Sequence, residues 1–386
     1  MLVIGLMSGT SLDGIDAALV EFDGTVDAPD WRLLAFIEIP YAPGQRSAIH
    51  DGIVAGGAPS LCRLHADMGE WLAEAALRVC REHGVDVADV AVIGSHGQTI
   101  WHEPPAGGRR GATLQLGCPA TIAERTGIPV ISDFRSRDMA AGGEGAPLVP
   151  WVDRLLFSHP SRKRVLQNIG GMANLTWLPP RGSDEPILAF DTGPGNALID
   201  AAVYLATDGA LTYDTDGAWA NAAEPDEALL AELLAHPFLH RDPPKSTGRE
   251  VFGRPFVQAL AERLAPATRD AWGALVCTLT EFTARTITDA IDKWLVPRGV
   301  DEIILTGGGA QNPALVDRIR ARVTAPVHAD AAALGLQPAA KEALAFAALA
   351  WAHVLGVPGN VPEATGAAGP RVLGSRTPGV VELPGD

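Results

Sequence analysis

Three glycine turns and one well-placed acid carry most of the chemistry available to this sequence. The first turn, Ser8-Gly9-Thr10-Ser11, interrupts an apolar run and leads into Leu12, Asp13, Gly14, Ile15 and Asp16. The second is Gly170-Gly171, with Asn174 shortly after, and the third is Gly307-Gly308-Gly309, followed by Asn312 and Pro313. Glycine reaches positive φ and lets main chain approach a ligand closely. Successive N–H groups in such turns form concavities that bind anions. A hairpin needs glycine in any case, so one turn argues little, while three in this order argue for phosphate. Neither the Walker spacing nor G-x-G-x-x-G occurs, and the first turn runs into a strand rather than a helix. Asp191, in FDTGPGN, stands before a glycine turn and a helix. A carboxylate there can take a proton from a reacting group. It can also N-cap the helix, a task equally open to Thr192 and Asn196.

These residues need elements to hold them. Apolar runs predict strands at 2–7, 15–22 and about 33–39, then a buried strand at 90–93 and another at 130–131. Leu64, Met68, Leu72, Ala75 and Val79 recur at helical spacing and predict a helix over 61–82. A shorter helix fits 118–125, and a loop dense in Gly, Arg and Asp fills 132–147. The pattern then restarts, with strand, Gly-Gly turn and strand over 164–179, and strand, glycine turn and helix over 186–206. Helices fit 227–234, 252–264, 271–295 and 341–354, and 301–323 reads as strand, turn and helix. The expected organisation is an N-terminal lobe at 1–160, a C-terminal lobe at 161–355, and a Gly- and Pro-rich tail at 356–386 that packs back on the body.

Net charge is −16 and 47% of the 386 residues are hydrophobic. The charge argues against nucleic acid or an anionic membrane as partner, because both demand a basic footprint. Local donors can still hold a small anion. Cys62, Cys80, Cys118 and Cys277 form no C-x-x-C pair and read as buried free thiols. The first residues lack a basic, signal-like start, and no apolar run approaches a bilayer span. A cytoplasmic protein is expected.

Seven motifs in order, GLMSGTSLDGIDAAL, SHGQTIWH, RSRDMAAGGEGAPLVP, NIGGMANLT, FDTGPGN, STGRE and LTGGGAQN, resemble the anhydro-N-acetylmuramic acid kinase family over nearly the whole chain. The resemblance implies an α/β, two-lobed actin/hexokinase/Hsp70-type (ribonuclease H-like) fold with a cleft between duplicated domains. It also implies ATP and Mg²⁺ as cofactors and an amino sugar as the other substrate. The implied reaction opens 1,6-anhydro-N-acetylmuramic acid with water and phosphorylates O6, a step of cell-wall sugar recycling. Relatives suggest a homodimer.

The resemblance also assigns roles. Asp191 matches the family's catalytic base. Gly9, Thr10, Ser11, Leu12, Asp13, Gly14, Ile15 and Asp16 match its ATP loop, with Gly170, Gly171 and Asn174 as second phosphate loop. Gly307, Gly308, Gly309 and Asn312 would lie near the adenosine or its phosphates, although capping fully explains Asn312 before Pro313. An acid beside phosphate needs a cation, so Asp13 or Asp16 would face Mg²⁺ or its waters. Alternatively, one of them only braces the turn. The superfamily usually places Asp ahead of the glycine in both hairpins. Met7 and Asn168 stand there instead, which leaves the metal ligands open. Ser95, His96, Gln98 and Thr99 suit sugar hydroxyls and an N-acetyl group. His96 alone equally reads as a structural histidine.

A lactyl carboxylate needs a cation, which Arg137 or Arg135 could supply, with Asp133 and Asp138 beside them. An Arg–Asp pair that only orders the loop is the alternative. Glu342 either points toward substrate or serves a first helical turn. KSTGRE (245–250) is a polar loop able to close over substrate. Three other activities fit parts of the pattern: a hexose kinase without bond hydrolysis, a non-catalytic actin-like nucleotide switch, and a plain glycosidase. The last leaves the three turns unexplained.

Overall fold

The computed structural model describes residues 1–9, 11–25, 28–329 and 337–380. The chain divides into two units, Met1–Phe157 with Ala339–Asp386, and Ser158–Pro338.

In the first unit β1 (Leu2–Ser8), β2 (Gly14–Thr25) and β3 (Ala28–Pro40) form an antiparallel meander. β4 (Val90–Glu103) lies parallel to β1 on its free side. β5 (Ala112–Leu116) folds back on the far half of β4, and β6 (Val130–Ser132) runs parallel to the near half. β1 is buried from Val3 to Met7, as a strand covered on both faces must be. A parallel β1–β4 pair requires a crossover. Helix Ala58–His83 supplies it, burying Leu64, Met68, Leu72, Ala75 and Val79 and ending where Gly84 turns left-handed at φ 65°.

In the second unit β7 (Arg164–Ile169), β8 (Met172–Leu178) and β9 (Leu188–Pro194) repeat the meander. β10 (Glu302–Thr306) runs parallel to β7, and β11 (Val327–His328) parallel to β10. The strand orders β3-β2-β1-β4-β6 and β9-β8-β7-β10-β11 are one plan used twice. The fold is thus the duplicated α/β arrangement of the actin/hexokinase type. Helices Ala197–Ala206 and Arg269–Ala290 lie between β9 and β10, and the latter continues into a π-helical turn, Ile291–Leu295.

Several elements depart from the sequence expectation. Helix Lys341–Val354 was grouped with 161–355, yet it lies on the first unit's sheet and belongs to that unit. The cause is a pair of glycines: Gly5 and Gly94 are register partners on β1 and β4. A Cβ at Gly5 would collide with the Ala343 carbonyl, and one at Gly94 with the Phe346 carbonyl. Their bare backbone lets an alanine-rich helix settle directly on the sheet, with Trp351 stacked on Phe22 at 4.9 Å. The following segment stays with this unit, where strand Ser375–Thr377 pairs antiparallel with β6. The expected strand at 90–93 extends to Glu103, because β5 gives its second half a partner. The expected loop 132–147 contains a helical turn, Ser136–Ala140. Helices Pro43–Ala55 and Val149–Phe157 were not foreseen. Cys80 and Cys277 are buried free thiols, but Cys62 is exposed and Cys118 only half-buried.

Candidate active site

The second unit gathers its glycine bends in one place. Thr306, Asn168, Asn174 and Asp191 are register partners across β10, β7, β8 and β9, a polar row at neighbouring strand positions. Gly170 and Gly171 turn β7 into β8. Their carbonyls accept N–H groups of the FDTGPGN turn: Asn196 to Gly170 at 2.8 Å and Gly195 to Gly171 at 2.9 Å. The bend at Gly195 needs glycine, since a Cβ there would strike the Gly170 carbonyl. The third bend opens at Gly307, left-handed at φ 81°, and a Cβ on it would come within 2.7 Å of Asn168 Oδ1. Gly308 faces Asn196 and Gly309 packs on Ile169. Asn312 accepts the Ala314 and Leu315 amides at 3.1 and 3.3 Å, so its side chain is occupied as a helix cap.

Asp191 lies within β9, three residues before its end, and the next helix is flanked by Asn196 rather than capped by Asp191. Its amide donates to the Lys245 carbonyl at 3.0 Å, and its Oδ2 accepts the Thr247 amide at 2.9 Å. Oδ1 accepts no hydrogen bond among the described residues. Burial raises the proton affinity of this carboxyl, and the Thr247 amide partly offsets that. The loop holding it is anchored by Lys245, a buried ammonium that donates to the Phe238 and Leu239 carbonyls and lies 4.8 Å from the Phe238 ring centroid.

The first unit's turn is braced by side chains. Ser8 Oγ meets the Tyr41 hydroxyl at 2.7 Å and donates to Gln98 Oε1 at 2.5 Å. Gln98, expected on substrate, therefore props the root of the first turn. Thr10 lies outside the described residues. Ser11 Oγ donates to Asp13 Oδ1 at 2.7 Å, and the Gly14 amide reaches the same oxygen at 3.0 Å. Gly9 is followed closely by Leu12, which is left-handed at φ 55° and donates its amide to the Gly9 carbonyl. Ile15 is buried and pairs with Ser8. Asp16 pairs with Met7 on one side and Glu38 on the other. Burial, then Glu38, Asp13 and Glu342, push its carboxyl up to about 7. Among the described residues no group of His, Cys, Asp and Glu side chains is arranged to hold a metal directly.

SHGQT lies inside β4, not after it, at an irregularity where Leu6 pairs with Ser95 but Ser8 with Gln98. Gly97, left-handed at φ 72°, takes up the extra residue. His96 is buried; its Nδ1 lies 2.8 Å from the Gly97 carbonyl, while Nε2 receives Arg135 Nε and Nη2 at 3.2 and 3.0 Å. Burial and the Arg135 charge hold its pKa down near 3, so the ring is neutral and both nitrogens are spent on structure. Arg135 is further tied to the Gly145 carbonyl at 2.9 Å and feels the Glu342 carboxylate. Glu342 is pushed up by burial, against the pull of Arg135. Ser95 Oγ is buried with no hydrogen-bond partner among the described residues. Thr99 receives Gln115 Nε2 at 3.3 Å.

The alternative reading of this loop, an Arg–Asp pair, is not found among the described residues. Arg137 is exposed, and Asp133, also exposed, accepts Ser136 Oγ. Asp138 is fully buried and accepts the Gly145 amide, Asn360 Nδ2 and Thr365 Oγ1, so it ties the C-terminal segment to its own unit. Of the two arginines the sequence leaves open, Arg135 is the one tied to His96, while Arg137 faces solvent, a difference that a mixed loop does not spell out. The KSTGRE segment, expected only as a loop able to close over substrate, carries the Thr247 amide that meets Asp191 and the Arg249 guanidinium beside Gly171.

On the duplicated actin/hexokinase-type plan, the second unit's glycine bends beside a half-buried carboxylate fit a group-transfer enzyme of the kinase class. The family model described as anhydro-N-acetylmuramic acid kinase matches residues 1–379. Curated relatives of that name include one from Gloeobacter violaceus, 44% identical over 385 residues and covering 98% of both chains. Another, from Caldanaerobacter subterraneus subsp. tengcongensis, is 42% identical over 380 residues, covering 97% of this chain and 96% of its own. This chain belongs to the anhydro-N-acetylmuramic acid kinase family and is an enzyme of that kind. Among solved structures, a ROK family glucokinase from Streptomyces griseus in complex with glucose and AMPPNP aligns with TM-score 0.38 at 13% identity, covering 90% of this chain and 99% of its own.

Proposed function

We propose that the chain uses ATP to convert 1,6-anhydro-N-acetylmuramic acid into N-acetylmuramic acid 6-phosphate, in recycling of cell-wall sugar in the cytoplasm. The observation that carries this reading is the setting of Asp191. One oxygen is fixed by the Thr247 amide, the other is open, and burial makes the carboxylate a stronger base. Asp191 takes a proton from water as the water oxygen bonds to the anomeric carbon. The bond from that carbon to O6 breaks and O6 keeps the electron pair. O6 then bonds to the γ-phosphorus, and ADP leaves with the electrons of the broken P–O bond. Asp191 afterwards releases its proton to solvent.

The main-chain amides of Gly9, Ser11 and Gly171 would contact phosphate oxygens, while the Gly170 amide is spent on the Met172 carbonyl. Mg²⁺, when bound, would neutralise charge on the phosphates. The acids around Asp16 fit a cation held through its waters, because burial, with repulsion from Glu38, Asp13 and Glu342 added, already drives that carboxyl toward its neutral form. Asp13 and Asp16 would hold those waters. In the first unit, Arg135 would read the lactyl carboxylate, with His96 as its brace, and the orphaned Ser95 hydroxyl and Glu342 would meet the sugar.

Product mass tests the reading. In ¹⁸O-labelled water the product gains one phosphate and one labelled oxygen. Asp191→Asn lowers turnover by about 10³-fold while ATP still binds. Near-normal turnover of that variant would overturn the assignment of the base.

A further inference from the structure

The loop that fixes Asp191 also carries a cation that the reaction above has not used. Arg249 follows Thr247 by two residues, and its guanidinium lies over the Gly170-Gly171 bend. From the Cβ position of Gly171, Nη2 stands at 3.3 Å and Nε at 3.4 Å. A Cβ at Gly171 would press on the guanidinium, which places the two in close contact. Among the described residues no carboxylate lies within ion-pair distance of Arg249. Asp200, in the first turn of the helix after FDTGPGN, is near enough to feel its charge while burial drives that carboxyl up to about 6. The Gly170 amide donates to the Met172 carbonyl at 3.2 Å, so among the described residues the Gly171 amide and the unpaired guanidinium are the donors left at this bend. Thr247 Oγ1, buried without a partner among the described residues, lies on the same loop.

We propose that Arg249 is a catalytic residue that binds the γ-phosphoryl group and stabilises its charge during transfer, and that the Lys245–Glu250 loop couples this contact to the base. This rests on the phosphate role given above to the Gly170-Gly171 bend. The guanidinium's planar fork suits phosphoryl oxygens, and it lies over the turn whose Gly171 amide would hold the same group. Lys245 roots the loop, the Thr247 amide sets the Asp191 carboxylate, and Arg249 meets the transferred group. A shift of the loop would therefore displace base and phosphate contact together.

Two variants, Arg249→Ala and Arg249→Lys, test this by calorimetric binding of ADP and of AMPPNP, alongside turnover and the thermal midpoint. The expected result is a tenfold or greater loss of AMPPNP affinity in Arg249→Ala with ADP affinity unchanged, and a kcat lowered by about 10²-fold or more. Arg249→Lys should recover part of both, and the thermal midpoint should stay at the wild-type value. Equal loss of ADP and AMPPNP binding, a rise confined to the KM for the sugar, or unchanged values would each overturn the proposal. If the wild-type enzyme binds AMPPNP more tightly than ADP but does not act on the anhydro sugar, the broader functional reading fails while the Arg249 contact is still measured.

Discussion

At the residue scale, this protein uses burial to set charge states in opposite senses. Asp191 is raised by burial and held back by one amide, which makes it a stronger base than a solvated carboxylate. His96 is driven the other way, from 6.5 to about 3, and becomes a permanent acceptor for Arg135. That shift has a stability consequence. The unfolded chain binds a proton at His96 below about pH 6.5, and the folded chain does not until near pH 3. Stability from this group is therefore full above pH 6.5 and is lost as pH falls toward 3, by at most about 5 kcal/mol. Denaturant unfolding of wild type and His96→Gln between pH 7.5 and 4 measures it. The wild type should lose more stability over that range than the variant, and parallel curves would refute the linkage.

At the element scale, the informative contact is the one between helix Lys341–Val354 and the first sheet. Packing at backbone distance needs glycine on the strands, and Gly5 and Gly94 provide it side by side. Gly94→Ala should cost about 3 kcal/mol or more, because the obstacle is helix backbone and cannot swing aside. Gly44, in helix Pro43–Ala55 with open space around it, is the control: Gly44→Ala should be neutral or slightly stabilising. Thermal melting of the two variants separates them. The sequence reading found this helix from its composition, but nothing local told which sheet it would cover. The glycine turns are likewise legible from composition, whereas SHGQT lies within β4 rather than beyond the 90–93 run. The irregularity at Gly97 arises from pairing with β1 and β5, strands remote in sequence.

At the scale of the whole molecule, the second unit is one uninterrupted stretch, whereas the first is made of two segments. The first segment lacks the helix that covers β1 and β4 and the strand that pairs with β6. Expressed alone, residues 158–338 should melt cooperatively, with dispersed amide signals. Residues 1–157 alone should not, until 339–386 is supplied. A cooperative melt of 1–157 by itself would contradict this division. The net charge of −16 spreads over both units, and the cationic groups that matter, Arg135 and Arg249, are local exceptions.

Sequence alone determined the glycine bends, the duplicated hairpin openings and Asp191 as the acid beside a bend, because each depends on residue type within a few positions. Tertiary structure decided what those residues touch. It assigned Gln98 to Ser8, Asp138 to the C-terminal segment, Arg135 to His96 and Arg249 to Gly171. Such partners are fixed by strand register and by packing between distant segments. A side chain's charge state follows from the partners and burial it acquires only when those segments meet.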